Sequence, residues 1–220
     1  MLKTLEAALG GRTIARIRDF RAILPAPEPC CDEKIFGLLD RFAADYGDGL
    51  VLYGGLAATE RIYGLKRIRE ITTDLDFVCT PEGLEAVLDG ERVAYHEDYD
   101  ILFAVVQSVP VTFAYGHIHD WPVDAPFFDK AARVRPGKVE LLCCSREHAV
   151  MLKLRRSCER MGKGLQPFGK DALDILNMLA GGSAREGRRP VALGELRGLL
   201  RGNIEGYESR LAWILAFLRG

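Results

Sequence analysis

Apolar residues in this chain come in short runs broken by glycine and proline up to about residue 145, and at helical spacing after it. Residues 12–24 have the make-up of a short helix. Pro25, Pro27 and Pro29 then impose an extended connector, because proline excludes helix at itself and at the residue before it. Asp32 is placed to cap a helix in which Ile35, Phe36, Leu38, Leu39, Phe42 and Ala43 recur at helical spacing, ending near Gly47. Leu50–Tyr53, an apolar run between glycines, predicts a buried strand; residues 56–63 have helical composition, and Gly54-Gly55 is the joint. A second apolar strand, Leu75–Cys79, stops at Thr80-Pro81-Glu82, an N-cap followed by proline at the first helical position, so a short helix to Leu88 is expected. Residues 93–107 and 109–118, rich in Val, Phe and Tyr, predict two or three further strands joined around Ser108-Val109-Pro110. After Pro136-Gly137 a last strand at 138–143 leads through the capping residue Ser145 into helix-forming sequence that fills nearly everything to Gly220. Its one biased stretch is the glycine-rich, charged loop at 181–189.

Strands interleaved with helices, then helices alone, predict an α+β fold: a mixed β-sheet flanked by helices in an α/β-like core, followed by a C-terminal helical bundle. The expected domains are a helical appendage with its proline-rich connector at 1–29, the sheet core at 30–140 and the helical domain at 141–220. With 220 residues, 48% of them hydrophobic, the chain can bury a core without covalent staples. Thirty Lys and Arg against 31 Asp and Glu give a formal net charge of −1, which removes any global attraction to a polyanion; nucleic-acid contact would have to be local. The first residues lack the basic-then-apolar order of a signal peptide, and no apolar run approaches the roughly 20 residues that span a bilayer, so a cytoplasmic address without a membrane partner is expected. The six cysteines include Cys30-Cys31 and Cys143-Cys144, which lack the two-residue gap of paired zinc ligands and read as reduced, buried small hydrophobes.

The candidate chemistry begins at Gly54-Gly55. A strand that ends in glycines and turns into a helix offers backbone N–H groups and the positive end of a helix dipole to a phosphate. In Thr72-Thr73-Asp74-Leu75-Asp76-Phe77, strand alternation sends both carboxylates to one face and Leu75 and Phe77 to the other. Two such neighbours repel unless a cation lies between them, and hard oxygen ligands at this spacing suit magnesium. Either feature alone is commonplace. A phosphate-cradling turn, one helix and a carboxylate pair in succession are what a nucleoside triphosphate with its metal requires. His117 and His119 alternate near Asp120 but have no further ligand nearby in sequence, so they read as a wet sheet edge. Trp121, Phe127 and Phe128 read as core cover.

Gly54-Gly55-Leu56-Ala57, then Arg67 and Arg69, then Thr73-Asp74-Leu75-Asp76-Phe77 resembles the pattern of the nucleotidyltransferase superfamily, and more closely its bacterial toxins of abortive-infection and type IV toxin-antitoxin systems. Downstream, Ser145-Arg146-Glu147, Lys153-Leu154, Arg160 and Lys170-Asp171-Ala172-Leu173-Asp174-Ile175 resembles the helical motif of that family. The resemblance implies that Asp74 and Asp76 bind magnesium, that Gly54, Gly55, Arg67, Lys153, Lys170 and Asp174 contact a nucleoside triphosphate, and that Asp74, Asp76, Lys153 and Asp171 are catalytic. It implies transfer of a nucleotidyl group to RNA, the tRNA 3′ end by analogy, and a cognate antitoxin as partner. Small-molecule acceptors, as for antibiotic-modifying relatives, and a non-catalytic nucleotide-binding or protein-interaction module are the alternatives. Basic residues for an RNA backbone would include Lys66, Arg67, Arg69, Arg155 and Arg156. Without the family, Lys170, Asp171 and Asp174 would decorate the exposed face of a helix buried through Leu173, Ile175, Leu176 and Leu179; the resemblance turns them inward.

One departure stands out. The third carboxylate of active members aligns with Thr112, in Val111-Thr112-Phe113, and threonine is a poor metal ligand and no base at neutral pH. Either two carboxylates suffice, or catalysis is weakened, or Asp98, Asp100 or Glu140 substitutes.

Overall fold

Buried rows running across neighbouring strands set the architecture. The computed structural model describes residues 4–19, 32–63, 74–135, 137–166, 169–180 and 191–217. They divide into two compact units, one holding 4–19, 32–56, 74–135 and 137–144, the other 57–63, 145–166, 169–180 and 191–217.

In the first unit the elements are α1 (Thr4–Ala8), β1 (Ala15–Ile17), α2 (Asp32–Tyr46), β2 (Leu50–Tyr53), the start of α3 (Gly54–Tyr63), β3 (Leu75–Cys79), α4 (Pro81–Gly90), β4 (Ala94–His96), β5 (Ile101–Val106), β6 (Val109–Tyr115), β7 (His117–Ile118), β8 (Trp121–Pro122), α5 (Ala125–Asp129), β9 (Ala132–Val134) and β10 (Leu141–Cys143). The described strands form one mixed sheet in the order β1-β4-β5-β6-β3-β2-β10-β9, with β7 and β8 as a small separate ladder. The pairs β1/β4, β3/β6 and β2/β10 are parallel, and the rest are antiparallel.

Leu52, Phe77, Phe113, Leu102 and Tyr95 lie side by side across five strands and are all buried. Phe42 of α2 meets this face edge-on, 5.4 Å from the ring of Phe77 and 6.0 Å from that of Phe113. Slipping any strand by one residue would turn this row to the other face, so the aromatic packing fixes the register. Thr80 caps α4 by accepting the Gly83 N–H at 3.1 Å, with Pro81 opening the helix.

Within the segment expected to be helical at 12–24, Ala15–Ile17 instead form β1, the sheet edge, and residues 20–24 lie outside the described residues. Strand pairing and ion pairs from Arg16 to Glu6 (2.7 Å) and Arg18 to Glu97 (2.6 Å) hold it, none of which local composition reveals. The expected last strand is confined to Leu141–Cys143, while α5, β8 and β9 lie in the stretch between that carried no strong periodic signal. Cys79, Cys143, Cys144 and Cys158 are buried thiols, as expected; Cys30 and Cys31 lie outside the described residues.

The second unit is helical: the rest of α3, α6 (Arg146–Gly162), α7 (Gly169–Leu179), α8 (Leu193–Asn203) and α9 (Tyr207–Phe217). Ser145 caps α6, its hydroxyl accepting the His148 N–H at 3.2 Å. No helix among the described residues is long and apolar enough to cross a membrane.

His117 is not on a wet edge. It is buried, with Nε2 2.7 Å from Asp100, while His119 is exposed. Asp100, wholly buried, accepts the N–H groups of Leu5 and Glu6 (both 3.1 Å) and the Tyr95 hydroxyl (2.7 Å), and faces the His117 ring. That is two partners on each oxygen, all the acceptor sites a carboxylate has. Burial pushes the Asp100 pKa up, but the bonds from Tyr95, His117 and the two backbone N–H groups outweigh it and hold the group below the usual carboxylate value. Since the folded pKa is depressed, this contribution to stability is complete above the unfolded value and is lost as pH falls through the folded one. Asp100→Asn should therefore cost about 3 kcal/mol near neutral pH and flatten the loss of stability on acidification below the ordinary aspartate range. Urea denaturation across that range measures both effects.

Candidate active site

β2 is buried at every position and runs into α3 through Gly54, whose φ of +77° is left-handed. Register pairs Tyr53 with Asp76 on β3, and Asp76 with Thr112 on β6, which puts the three on one face, opposite the aromatic row. Leu75 and Phe77 are buried on the other side, as alternation predicts. Asp76 is half-buried; Asp74 is exposed, directly before the strand.

Thr112 and Gly54 both meet the Asp76 carboxylate. The Thr112 hydroxyl donates to Oδ1 at 2.6 Å, the length of a charge-assisted O–H···O bond. Oδ2 occupies the space a side chain on Gly54 would take; a Cβ there would overlap Oδ2 and lie 2.9 Å from Cγ. The glycine turn and the carboxylate strand thus meet, and the missing Cβ of Gly54 is what admits the aspartate. Gly55, the next residue of α3, is half-buried.

The other acids do not reach this spot. The antiparallel register puts Gly54 and Asp74 at the same end of the sheet. Asp98 is in the β4–β5 turn, at the end marked by Cys79 and Tyr115. Asp100 shares that turn and is saturated. Glu140 precedes β10 at the end where β2 begins, and pairs with Arg135 at 3.3 Å. Thr112 stands beside Asp76. Its part as a hydrogen-bond donor to the aspartate was not foreseen, and the signal lies in register rather than in any motif.

Within the helical unit, Lys153 of α6 is buried between Asp171 (2.8 Å) and Asp174 (3.0 Å) of α7, and Arg156 approaches Asp171 at 4.0 Å. Asp171 and Asp174 turn inward beside Ala172, Ile175 and Met178, whereas Leu173 and Leu176, expected in the core, are exposed. Lys170 is exposed and outside the cluster. Lys66, Arg67 and Arg69 lie outside the described residues, as do Thr72 and Thr73.

Gly54→Ala should destabilise by at least about 2 kcal/mol, combining left-handed strain with the overlap on Asp76. In an Asp76→Ala background only the backbone part should remain, about 1–2 kcal/mol, a non-additivity that a double-mutant cycle by urea denaturation reads directly. Lys153→Met leaves two buried carboxylates facing each other and should cost about 3–5 kcal/mol, measured by thermal or urea unfolding.

No family model matches the chain, and no curated protein matches it significantly. Among solved structures, the solution structure of the antibiotic-resistance factor ANT(2'')-Ia aligns with a TM-score of 0.53 at 15% identity, over 86% of this chain and 99% of its own. An antigenic nucleotidyltransferase-like protein from Paracoccidioides brasiliensis aligns at 0.46 and 14% identity, over 82% of this chain and 92% of its own, below the level from which a shared fold follows. The likeness to ANT(2'')-Ia extends to nearly the whole length of both chains, and the fold of this protein is the nucleotidyltransferase fold.

Proposed function

We propose that this protein transfers a nucleotidyl group from a nucleoside triphosphate to a hydroxyl acceptor. The observation that carries the reading is the contact of the Gly54 turn with Asp76: a left-handed glycine opening α3 and a carboxylate strand lodged in its missing side chain. The N-terminus of α3 presents backbone N–H groups to a phosphate chain. Asp74 and Asp76 suit magnesium, which is held by one or two carboxylates and completes its shell with phosphate oxygens and water. Once bound, the ion would offset the charge that develops on the phosphate oxygens.

In the reaction the acceptor oxygen bonds to the α-phosphorus, the bond from that phosphorus to the bridging oxygen breaks, and pyrophosphate leaves with the electron pair. The acceptor's proton is lost to solvent, since Thr112 is no base. The chain's own contribution is position: β3 is clamped by its aromatic face, and Thr112 and Gly54 fix the Asp76 rotamer, so the acid needs no reorganisation. For Lys153, Asp171, Lys170, Asp174 and Arg67 as catalytic or nucleotide contacts, the support is the resemblance of the sequence motifs.

RNA is the first acceptor we propose, again on the toxin resemblance, with a cognate antitoxin as the implied partner. On α6, Arg155, Arg156 and Arg160 are not buried and would meet a phosphate backbone. The second reading, a small-molecule acceptor, is favoured by the whole-length likeness to an antibiotic-resistance factor.

The test is incubation with each of the four α-labelled nucleoside triphosphates and magnesium, with total RNA, with a panel of hydroxyl-bearing antibiotics, or with neither. Label in RNA is expected, reduced about 100-fold or more in Asp76→Asn. Label on an antibiotic alone selects the second reading. Absence of transfer in every arm, with nucleotide binding equal in wild type and Asp74→Asn, overturns both.

A further inference from the structure

We propose that the helical unit holds an unpaired nucleotide of the acceptor RNA in the cavity between the end of α6 and α9, its base stacked on Trp213 and its phosphate on Arg210. This deepens the RNA-acceptor reading and rests on it for the identity of the strand. The cavity measures about 630 Å³, within the range of sites that take small molecules. Met161, Leu165 and Gln166, at and after the end of α6, form one wall, and Ser209, Arg210 and Trp213 of α9 form the other. Gln166 is fixed there by its carbonyl, which accepts the Arg160 Nε–H at 2.8 Å. Gly164 ends α6 at a left-handed φ of +71°, and a Cβ on it would meet nothing within 4 Å, so the mouth is open for a strand to enter and leave.

The lining selects the ligand. Trp213 follows Ser209 and Arg210 by four and three residues, so the three share one face of α9, with the indole about 5 Å further along the axis. Trp213 is 43% exposed and Leu165 49%, apolar surface that a planar ring would cover. Among the described residues that line the cavity, Arg210 alone is charged, and it is half-buried. Burial raises the pKa of the Cys158 thiol while Arg210 works against that rise, which sets the guanidinium beside the sulfur rather than loose in solvent. A wholly apolar occupant would strip water from this cation and return nothing, and a bare phosphate would leave the indole uncovered. A nucleotide supplies both a π face and an anion. The Ser209 hydroxyl donates to the Gly206 carbonyl at 2.9 Å and so is left as an acceptor, which suits the ribose 2′-hydroxyl. In a duplex the base faces are already stacked on each other, so only an unpaired nucleotide can reach Trp213.

Trp213 is its own probe, because the other of the chain's two tryptophans, Trp121, is only 2% exposed. The experiment is a fluorescence titration of the full chain, without triphosphate or magnesium. The ligands are a short oligoadenylate, the same strand paired with oligouridylate, its deoxy counterpart, adenosine monophosphate and inorganic polyphosphate. The single RNA strand should quench the exposed tryptophan saturably. The duplex and the monophosphate should bind about tenfold more weakly or worse, the deoxy strand severalfold more weakly, and polyphosphate should bind without quenching. Trp213→Ala should weaken the single strand about tenfold or more, and Trp213→Phe less. Arg210→Gln should reduce the salt slope by about 0.7. In the labelling reaction, Trp213→Ala should raise KM for RNA and leave kcat little changed. Single-strand affinity of Trp213→Ala within twofold of wild type, or adenosine monophosphate bound as tightly as the strand, overturns the inference, and label entering RNA then leaves the nucleotidyl-transfer reading standing. Trp213-dependent binding with no label in RNA sinks RNA as the acceptor and the inference with it. The wild-type titrations decide the matter even if Trp213→Ala fails to fold.

Discussion

One carboxylate in a notch governs the candidate site. Asp76 reaches Gly54 because β3 pairs with β2 in a single register, and that register is held by the buried row on the opposite face, where Phe42 caps Phe77 and Phe113. The face of the candidate site inherits its precision from the hydrophobic one: a strand that cannot slip cannot misplace its acid. The left-handed φ of Gly54 serves the same end, since any side chain there would sit where Oδ2 now lies. Strand order, turn and aromatic packing thus converge on one side chain.

What could be read from the sequence follows from how local each signal is. β2 and β3 were legible to the residue, since each is a compact apolar run bounded by glycine, threonine or proline, and the Thr80 and Ser145 caps act within one helical turn. β1 was not: its burial is slight, and its partners are β4 and Glu97, far along the chain. α7 misled for a related reason. Leucine ordinarily marks a buried face, yet here Asp171 and Asp174 are inside because Lys153 meets them from α6, and no periodicity within α7 can reveal that partner. The family pattern, which carries long-range information, did point these aspartates inward.

The candidate site was legible only as a list. Gly54, Gly55, Asp74 and Asp76 could be named, and the alignment set Thr112 against the missing acid. What required coordinates was that Thr112 donates to Asp76 and that the other acids proposed in its place lie at the far end of the sheet. Sequence proximity ranks acids by spacing, whereas a metal or a phosphate ranks them by which end of the sheet they occupy.

Three buried or half-buried acidic centres then differ in a way that assigns their work. Asp100 has all its acceptor positions filled by Leu5, Glu6, Tyr95 and His117, so it has no lone pair left for a ligand and serves to hold α1 against the sheet. Asp171 and Asp174 are offset by a cation their own unit supplies. Asp76, with Asp74 exposed beside it, receives the Thr112 hydroxyl on Oδ1 and lies against Gly54 through Oδ2. A carboxylate oriented by a neutral hydroxyl, with a second, exposed acid beside it, is the kind of arrangement that suits a cation arriving from outside. The contrast among these acids, more than any one motif, singles out the Gly54–Asp76 contact as the candidate site.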